Sequence, residues 1–368
     1  MQDFLNQLRA WIAEQGIDVY MVSQPQNRSY LTGWLNDDVE GSGTAFIGQQ
    51  QQVLLTNNLY KEVAEVEAVG WEVVVPPPQS REYAPIIVAL AQEHGWQKIG
   101  FEAEFVTVAG YDKLRAAGEN VFTLHLFEKS YVDELRKVKQ PRELELLRKA
   151  IAITDETFAH ICHWIEPGMT EKQVQWEILR SMIELDADGP SFEPIVASGP
   201  NGTMPHAVPG PRRIQRGELI TIDMGARYKG YCADMTRTIC LGEPAETRMR
   251  EVYDAVLKAM KTCEAGLHGG IQGKAADALA RDVLAEAGLA QYYIHSTGHG
   301  VGLEVHEGPG LSPRTPDDSL LPVGAVVTVE PGVYIPDWTG TRVEDCVLIT
   351  ENGCEVLTQS PTELVLPR

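Results

Sequence analysis

Apolar residues recur at Phe4, Leu5, Leu8, Trp11 and Ile12 with the spacing of one helix face, and then run on as Val19-Tyr20-Met21-Val22, a buried strand. The alternation continues. Strands are predicted at 44–47, 53–56, 71–75, 98–101 and 121–127, and helices at 61–69, 85–93, with Pro85 in its first turn, and 109–117. This first region reads as an α/β domain without a cluster of ligand-type residues; its His94 and His125 read as packed or solvated side chains. A polar stretch from Ser130 to Gln140, followed by Pro141 at a helix start, sets a boundary near residue 128, with domains at 1–128 and 129–368.

Beyond the boundary the pattern repeats. Helices over 142–164 and 170–185, the second with Thr170 as its cap, precede strands around Asp223 and Asp234. Helices over 246–267 and 274–287 then precede strands around Glu330 and Glu344. Two copies of a helix-helix-strand-strand unit indicate an old duplication rather than a solenoid, and a pseudo-twofold axis would gather the four acids.

The strings Gly217-Glu218-Leu219-Ile220-Thr221-Ile222-Asp223-Met224-Gly225 and Gly324-Ala325-Val326-Val327-Thr328-Val329-Glu330-Pro331-Gly332 carry the chemistry. Each acid ends a β-branched run, and a second acid, Asp234 or Glu344, follows at a distance that suits a hairpin. Isolated carboxylates in apolar strands are costly and would sooner take up protons. Two divalent ions would balance four such charges, which points to a dinuclear site able to clamp a hydrolytic water. Between the copies lies His295-Ser296-Thr297-Gly298-His299-Gly300-Val301-Gly302-Leu303-Glu304-Val305-His306-Glu307. Its glycines argue for a strand edge and loop, where one histidine would ligate and its neighbours would support it.

The ordered set Asp223, Asp234, His299, Glu330 and Glu344 resembles the metal site of the pita-bread metallopeptidases, the group that holds methionine aminopeptidase, aminopeptidase P and prolidase. Pro205-His206 after Ser198-Gly199-Pro200-Asn201, Thr297-Gly298-His299-Gly300-Val301-Gly302, Glu330-Pro331-Gly332 and Arg342-Val343-Glu344-Asp345 are similar to its prolidase and aminopeptidase P branch. The resemblance implies a creatinase-like N-terminal α/β domain ahead of a pita-bread catalytic domain. It also implies cleavage of the Xaa-Pro bond at the N-terminus of peptides, with dipeptide cleavage by a prolidase as the alternative. In that family Asp223 would bind one metal, His299 and Glu330 the other, and Asp234 and Glu344 would bridge. Glu330 would shuttle the proton, and His206, His306 and His295 would line the substrate site.

Arg342 would hold a bridging carboxylate or a substrate oxygen, against the competing reading of a surface ion pair; Arg314 is a candidate for the substrate's terminal carboxylate. Oxygen and imidazole ligands suit Mn²⁺ first, with Co²⁺, Fe²⁺ or Zn²⁺ also compatible. A homodimer is expected, as is a substrate-selecting role for the loop from Tyr30 to Asp38, whose Trp34 reads equally well as core. Methionine aminopeptidase usually lacks the extra first domain. Creatinase and the histone- or peptide-binding relatives have lost ligands that are complete here.

Composition narrows the rest. A formal charge of −21 argues against nucleic-acid partners, which need clustered Lys and Arg. No apolar run approaches the roughly 20 residues of a spanning helix, and no basic leader precedes Phe4, so no membrane partner and a cytoplasmic location are expected. The 6 cysteines show no Cys-x-x-Cys spacing, which disfavours a zinc knuckle or disulfide framework; Cys232 and Cys346, near Asp234 and Glu344, read as buried and inert.

Overall fold

The computed structural model describes residues 2–36, 43–78, 80 and 82–366, and the chain divides into two compact units, Met1–Arg136 and Lys137–Arg368. The first is built on strands β1 (Val19–Val22), β2 (Gly43–Gly48), β3 (Gln52–Thr56), β4 (Glu72–Val74), β5 (Lys98–Glu102) and β6 (Thr123–Phe127). They form one sheet in the order β4-β3-β2-β1-β5-β6, with β1-β2 and β2-β3 antiparallel and the other pairs parallel. Helices α1 (Gln2–Glu14), α2 (Pro25–Thr32), α3 (Lys61–Glu67), α4 (Ala84–His94), α5 (Val108–Ala117) and α6 (Tyr131–Arg136) complete the unit. Leu8 and Ile12 are fully buried, and Ile87, Leu90 and Leu114 cover Val19, Met21, Phe46 and Ile99 of the sheet.

Helix α2 departs from the sequence expectation, which placed Tyr30 to Thr32 in a loop. It has no apolar face, so periodicity does not reveal it; its buried polar residues find specific partners instead. Asn27 donates to Glu102 and Asp133, Arg28 donates to Gly43 O, and Gly33 ends the helix in the left-handed region. Trp34 is 1% exposed and packs on Arg28 and Tyr60, which makes it a core residue. Asp37 and Asp38 of the same expected loop lie outside the described residues.

The second unit carries the duplication. Its first half holds α7 (Pro141–Trp164), α8 (Glu171–Glu184), β7 (Gly189–Pro190), β8 (Ile195–Ser198), β9 (Leu219–Met224), β10 (Ala226–Tyr228), β11 (Tyr231–Cys232) and β12 (Met235–Leu241). Its second half holds α9 (Thr247–Gly266), α10 (Gly273–Glu286), β13 (Gly298–Gly300), β14 (Glu307–Leu311), β15 (Val326–Val329), β16 (Gly332–Ile335), β17 (Thr339–Arg342), β18 (Asp345–Ile349), β19 (Cys354–Val356) and β20 (Val365–Leu366). Thr170 caps α8 as expected, accepting from Gln173 N while the Gln173 side chain returns to Thr170 N.

Both acid pairs sit at the open ends of antiparallel strand pairs, each with a smaller two-stranded excursion where a plain hairpin was expected. β9 pairs with β12, and β10-β11 is inserted between them; β15 pairs with β18, and β16-β17 is inserted. The excursions reverse the chain sharply. At Gly225 a Cβ would lie 1.8 Å from Ala233 O, so only glycine permits that approach. The main sheets run β20-β12-β9-β8 and β14-β13-β15-β18-β19. Among the described residues no helix is long and apolar enough to cross a membrane.

Candidate metal centre

A cavity of about 210 Å³ in the second unit is lined by Phe192, Ile195, Pro205, His206, Asp223, Asp234, His295, His299, His306, Glu330, Arg342 and Glu344. The five expected metal ligands thus line one space together with His206, His295, His306 and Arg342, whereas Arg314 is exposed and absent from the lining. Asp223 lies within β9, directly opposite Thr236 of β12. Asp234 precedes β12, Glu330 follows β15, and Glu344 precedes β18. Glu344 is tied to the other half of the duplication: its backbone N donates to Thr236 O at 3.0 Å, and Thr236 Oγ1 donates to its Oε2 at 2.7 Å.

His299 is placed by close backbone packing. A Cβ at Gly298 would lie 2.0 Å from Thr328 O, and one at Gly300 would lie 2.2 Å from Gly308 O, so the flanking glycines let β13 press against its neighbours. The Nδ1 of His299 faces Gly300 O at 3.1 Å and carries the proton in that contact, which leaves Nε2 as a lone pair. That nitrogen sits 3.6 Å from Asp234 Oδ2 and 3.5 Å from Glu330 Oε1, too far for good hydrogen bonds. Burial, and after it His306, hold His299 at about 4, so it is neutral near pH 7.

The acids show the opposite strain. Burial and then Asp223's charge push Glu344 up to about 8. Burial and then Glu344's charge raise Asp234 and Glu330 well above the usual carboxylate range. Asp223 Oδ1 is buried with no hydrogen-bond partner. Ligand atoms of Asp234, His299 and Glu344 all lie within 4.8 Å of one another. An orphaned carboxylate oxygen, a bare imidazole nitrogen and mutually repelling acids form a donor set that fits divalent cations.

Arg342 is 3% exposed, which removes the surface ion-pair reading. Its guanidinium holds Asp223 Oδ2 at 2.5 Å rather than either acid expected to bridge. It reaches Glu344 only through Thr236, whose Oγ1 accepts from Arg342 Nε at 3.0 Å. Glu344, two residues after Arg342, has already left β17 and turned toward β12, so the two do not share a strand face. His295 uses both nitrogens in the wall: Nδ1 faces Ser296 O at 2.8 Å, and Nε2 faces Tyr334 Oη at 3.0 Å. Burial and then Arg342 hold it at about 4. His206 and His306 stand at exposed positions on the lining.

Sequence reasoning missed Tyr334, Thr236, Phe192 and Ile195. Only the first two sit near a recognisable string, and neither has a residue type that signals a metal site. Cys346 points away from ligation, donating its Sγ to Asp234 O at 3.1 Å, and burial pushes the Cys232 thiol up to about 11.

Residues 145–351 match metallopeptidase family M24, and residues 5–138 match the creatinase/prolidase N-terminal domain. The chain belongs to metallopeptidase family M24. An Xaa-Pro dipeptidase of Pyrococcus furiosus is 34% identical over 99% of this chain and 100% of its own length. The M24 architecture is matched by the structure of an Xaa-Pro dipeptidase from Bacillus anthracis, with TM-score 0.90, 37% identity and 98% of each chain covered. An X-Pro aminopeptidase structure from Thermotoga maritima matches with TM-score 0.88 and 31% identity, over 99% of this chain and 100% of that one. The mixed α/β fold and the metallopeptidase activity expected from the resemblance both hold for this M24 chain.

Proposed function

We propose that the protein is an Xaa-Pro dipeptidase whose two divalent ions are held by Asp223, Asp234, His299, Glu330 and Glu344. The observation that carries this reading is the cavity that His299 and Asp223, whose Oδ1 has no hydrogen-bond partner, line together with three acids of raised pKa. Asp223, Asp234, His299, Glu330 and Glu344 would together hold the ions, with Asp234, His299 and Glu344 placing ligand atoms within 4.8 Å of one another. Oxygen and imidazole donors suit Mn²⁺, Co²⁺, Fe²⁺ or Zn²⁺. Bound there, such ions supply Lewis acidity for the scissile carbonyl and lower the pKa of the attacking water.

The chain's own groups supply the rest. Glu330 accepts the water's proton and returns it to the proline nitrogen, which must leave as an amine. His206 and His306 donate hydrogen bonds to the substrate carbonyl as negative charge develops on its oxygen. Arg342 holds Asp223 in place, and His295 with Tyr334 braces the wall. Phe192 and Ile195 offer an apolar side for the prolyl ring. Proline's tertiary amide has no N–H for a backbone-pairing peptidase to grip, which calls for a shaped site of this kind.

The cavity of about 210 Å³ opens to solvent and does not limit the length of chain beyond it, so the preference for a dipeptide rests on the relatives. The dipeptidase names of the Pyrococcus and Bacillus relatives agree. The Thermotoga likeness supports the second reading, removal of the first residue from longer Xaa-Pro peptides. Hydrolysis of Ala-Pro, Ala-Pro-Ala and N-acetyl-Ala-Pro by metal-depleted and Mn²⁺-loaded protein separates them. Cleavage of Ala-Pro alone, only with metal, is the expected result. Comparable cleavage of the tripeptide would assign the aminopeptidase reading, and full activity after rigorous chelation would reject both.

A further inference from the structure

His206 reaches the cavity on a loop that leaves β8 at Ser198 and returns to β9, and one carboxylate from another element grips both ends of it. Glu171, the first residue of α8, is fully buried. Its Oε1 accepts from Ser198 N and Ser198 Oγ, both at 2.8 Å, and from Asn201 Nδ2 at 3.0 Å. Its Oε2 accepts from Asn201 Nδ2 at 2.9 Å and from Gly210 N at 3.2 Å. The backbone of the same turn adds two bonds, Glu171 N to Arg212 O at 3.1 Å and Lys172 N to Gly210 O at 3.2 Å.

The helix itself does not need this carboxylate for capping. Thr170 and Gln173 already close the capping box of α8, so the Glu171 side chain is free to serve the loop. A buried carboxylate is tolerated only where donors surround it, and here every donor comes from the segment 198–210. Between the two gripped ends run the turn Gly199–Thr203, then Met204, Pro205 and His206. Thr339 Oγ1 donates to Gly199 O at 2.8 Å, which fixes the front of the loop to β17, the strand that carries Arg342. The imidazole therefore has its reach set by a clamp at Ser198 and Asn201 on one side and Gly210 on the other.

We propose that Glu171 is a positioning residue for hydrolysis, tying Ser198, Asn201 and Gly210 to the start of α8 and so holding His206 at the distance from which it donates to the substrate. This rests on the reading of His206 as a donor. Glu171→Gln keeps the shape but turns two N–H groups toward donors, which breaks at least one arm of the clamp. A small misplacement of a catalytic group costs up to about 10²-fold, so Glu171→Gln is expected to lower kcat on Ala-Pro by roughly 10- to 100-fold with KM little changed.

The test is a double-mutant cycle on the full chain loaded with Mn²⁺, comparing wild type, Glu171→Gln, His206→Ala and the double variant, with bound metal and thermal melting measured for each. His206→Ala alone should lose about 10²–10³ in kcat. If Glu171 acts through His206, adding Glu171→Gln to His206→Ala should cost less than about twofold, since coupled residues are not additive. Equal slowing of both backgrounds by Glu171→Gln, or an unchanged kcat in Glu171→Gln alone, would overturn the inference. Should Glu171→Gln fail to fold or to keep its metal, Asn201→Ala removes one arm only and goes through the same cycle with the same criterion. Wild-type turnover in His206→Ala would instead overturn the reading of His206 itself.

Discussion

Arg342 and Asp223 form a buried ion pair at 2.5 Å in which only one carboxylate oxygen is used, leaving Asp223 Oδ1 buried without a hydrogen-bond partner. The same guanidinium reaches Tyr334 Oη at 2.5 Å and Thr236 Oγ1 at 3.0 Å, and Thr236 in turn holds Glu344. One cation thus orients acids from both halves of the duplication.

Replacing Arg342 with Lys tests that arrangement. A single ammonium cannot span Asp223, Thr236 and Tyr334 at once, so Arg342→Lys is expected to weaken Mn²⁺ binding by about 10- to 100-fold, the usual cost of removing a partner of a metal ligand. Calorimetric titration of metal-free protein checks this; unaltered affinity would show that the pair does not orient the ligands.

Metal binding should release protons near neutral pH. Burial and neighbouring charge put Glu344 at about 8, above its ordinary 4.5, and raise Asp234 and Glu330 well above theirs. A folded-state pKa above the unfolded one means that the contribution is fully present below the unfolded value and is lost as pH rises through the folded value. Metal-free protein therefore loses this contribution between about pH 4.5 and 8, and metal reverses the loss by displacing the protons. The rise in Tm on adding Mn²⁺ should grow across that window. Titrations in buffers of different ionisation enthalpy should detect proton release; a Tm shift independent of pH would contradict this account.

Asp234→Asn and Glu344→Gln keep the side-chain shape but each removes a negative charge from the shared positions. Bound metal should fall below that of the wild type, and turnover should drop by orders of magnitude, because the ions are no longer held together. Metal analysis alongside Ala-Pro kinetics checks both, and near-normal turnover in Asp234→Asn with its full metal content would remove Asp234 from the ligand set.

Trp34→Ala should act on stability. The indole is 1% exposed, and its loss leaves a cavity beside Arg28 and Tyr60, so about 3–5 kcal/mol of unfolding free energy is expected to disappear. Urea unfolding measures it. A change below about 1 kcal/mol would mean that the surrounding side chains collapse into the space.

The sequence alone was enough to determine the duplication, the paired helices and the acids that end each β-branched run, because each of these is a local pattern. Asp223 and Glu330 announce themselves by residue type and strand context, and the Gly-flanked His299 does so by the small neighbours that let strands close on it. Helix α2 was invisible for the converse reason: Asn27 and Arg28 are buried by hydrogen bonds to Glu102 and Gly43, partners that only the folded chain supplies. The same holds around the site. Arg342 chose Asp223, Tyr334 chose His295, and Glu171 chose both ends of the His206 loop through distances set by how β12 meets the segment 342–345 and how α8 meets β8. Which residues have ligand chemistry is a property of the side chain; which of them a guanidinium or carboxylate holds in place is decided by a separation of a few ångströms that exists only after the two halves have packed.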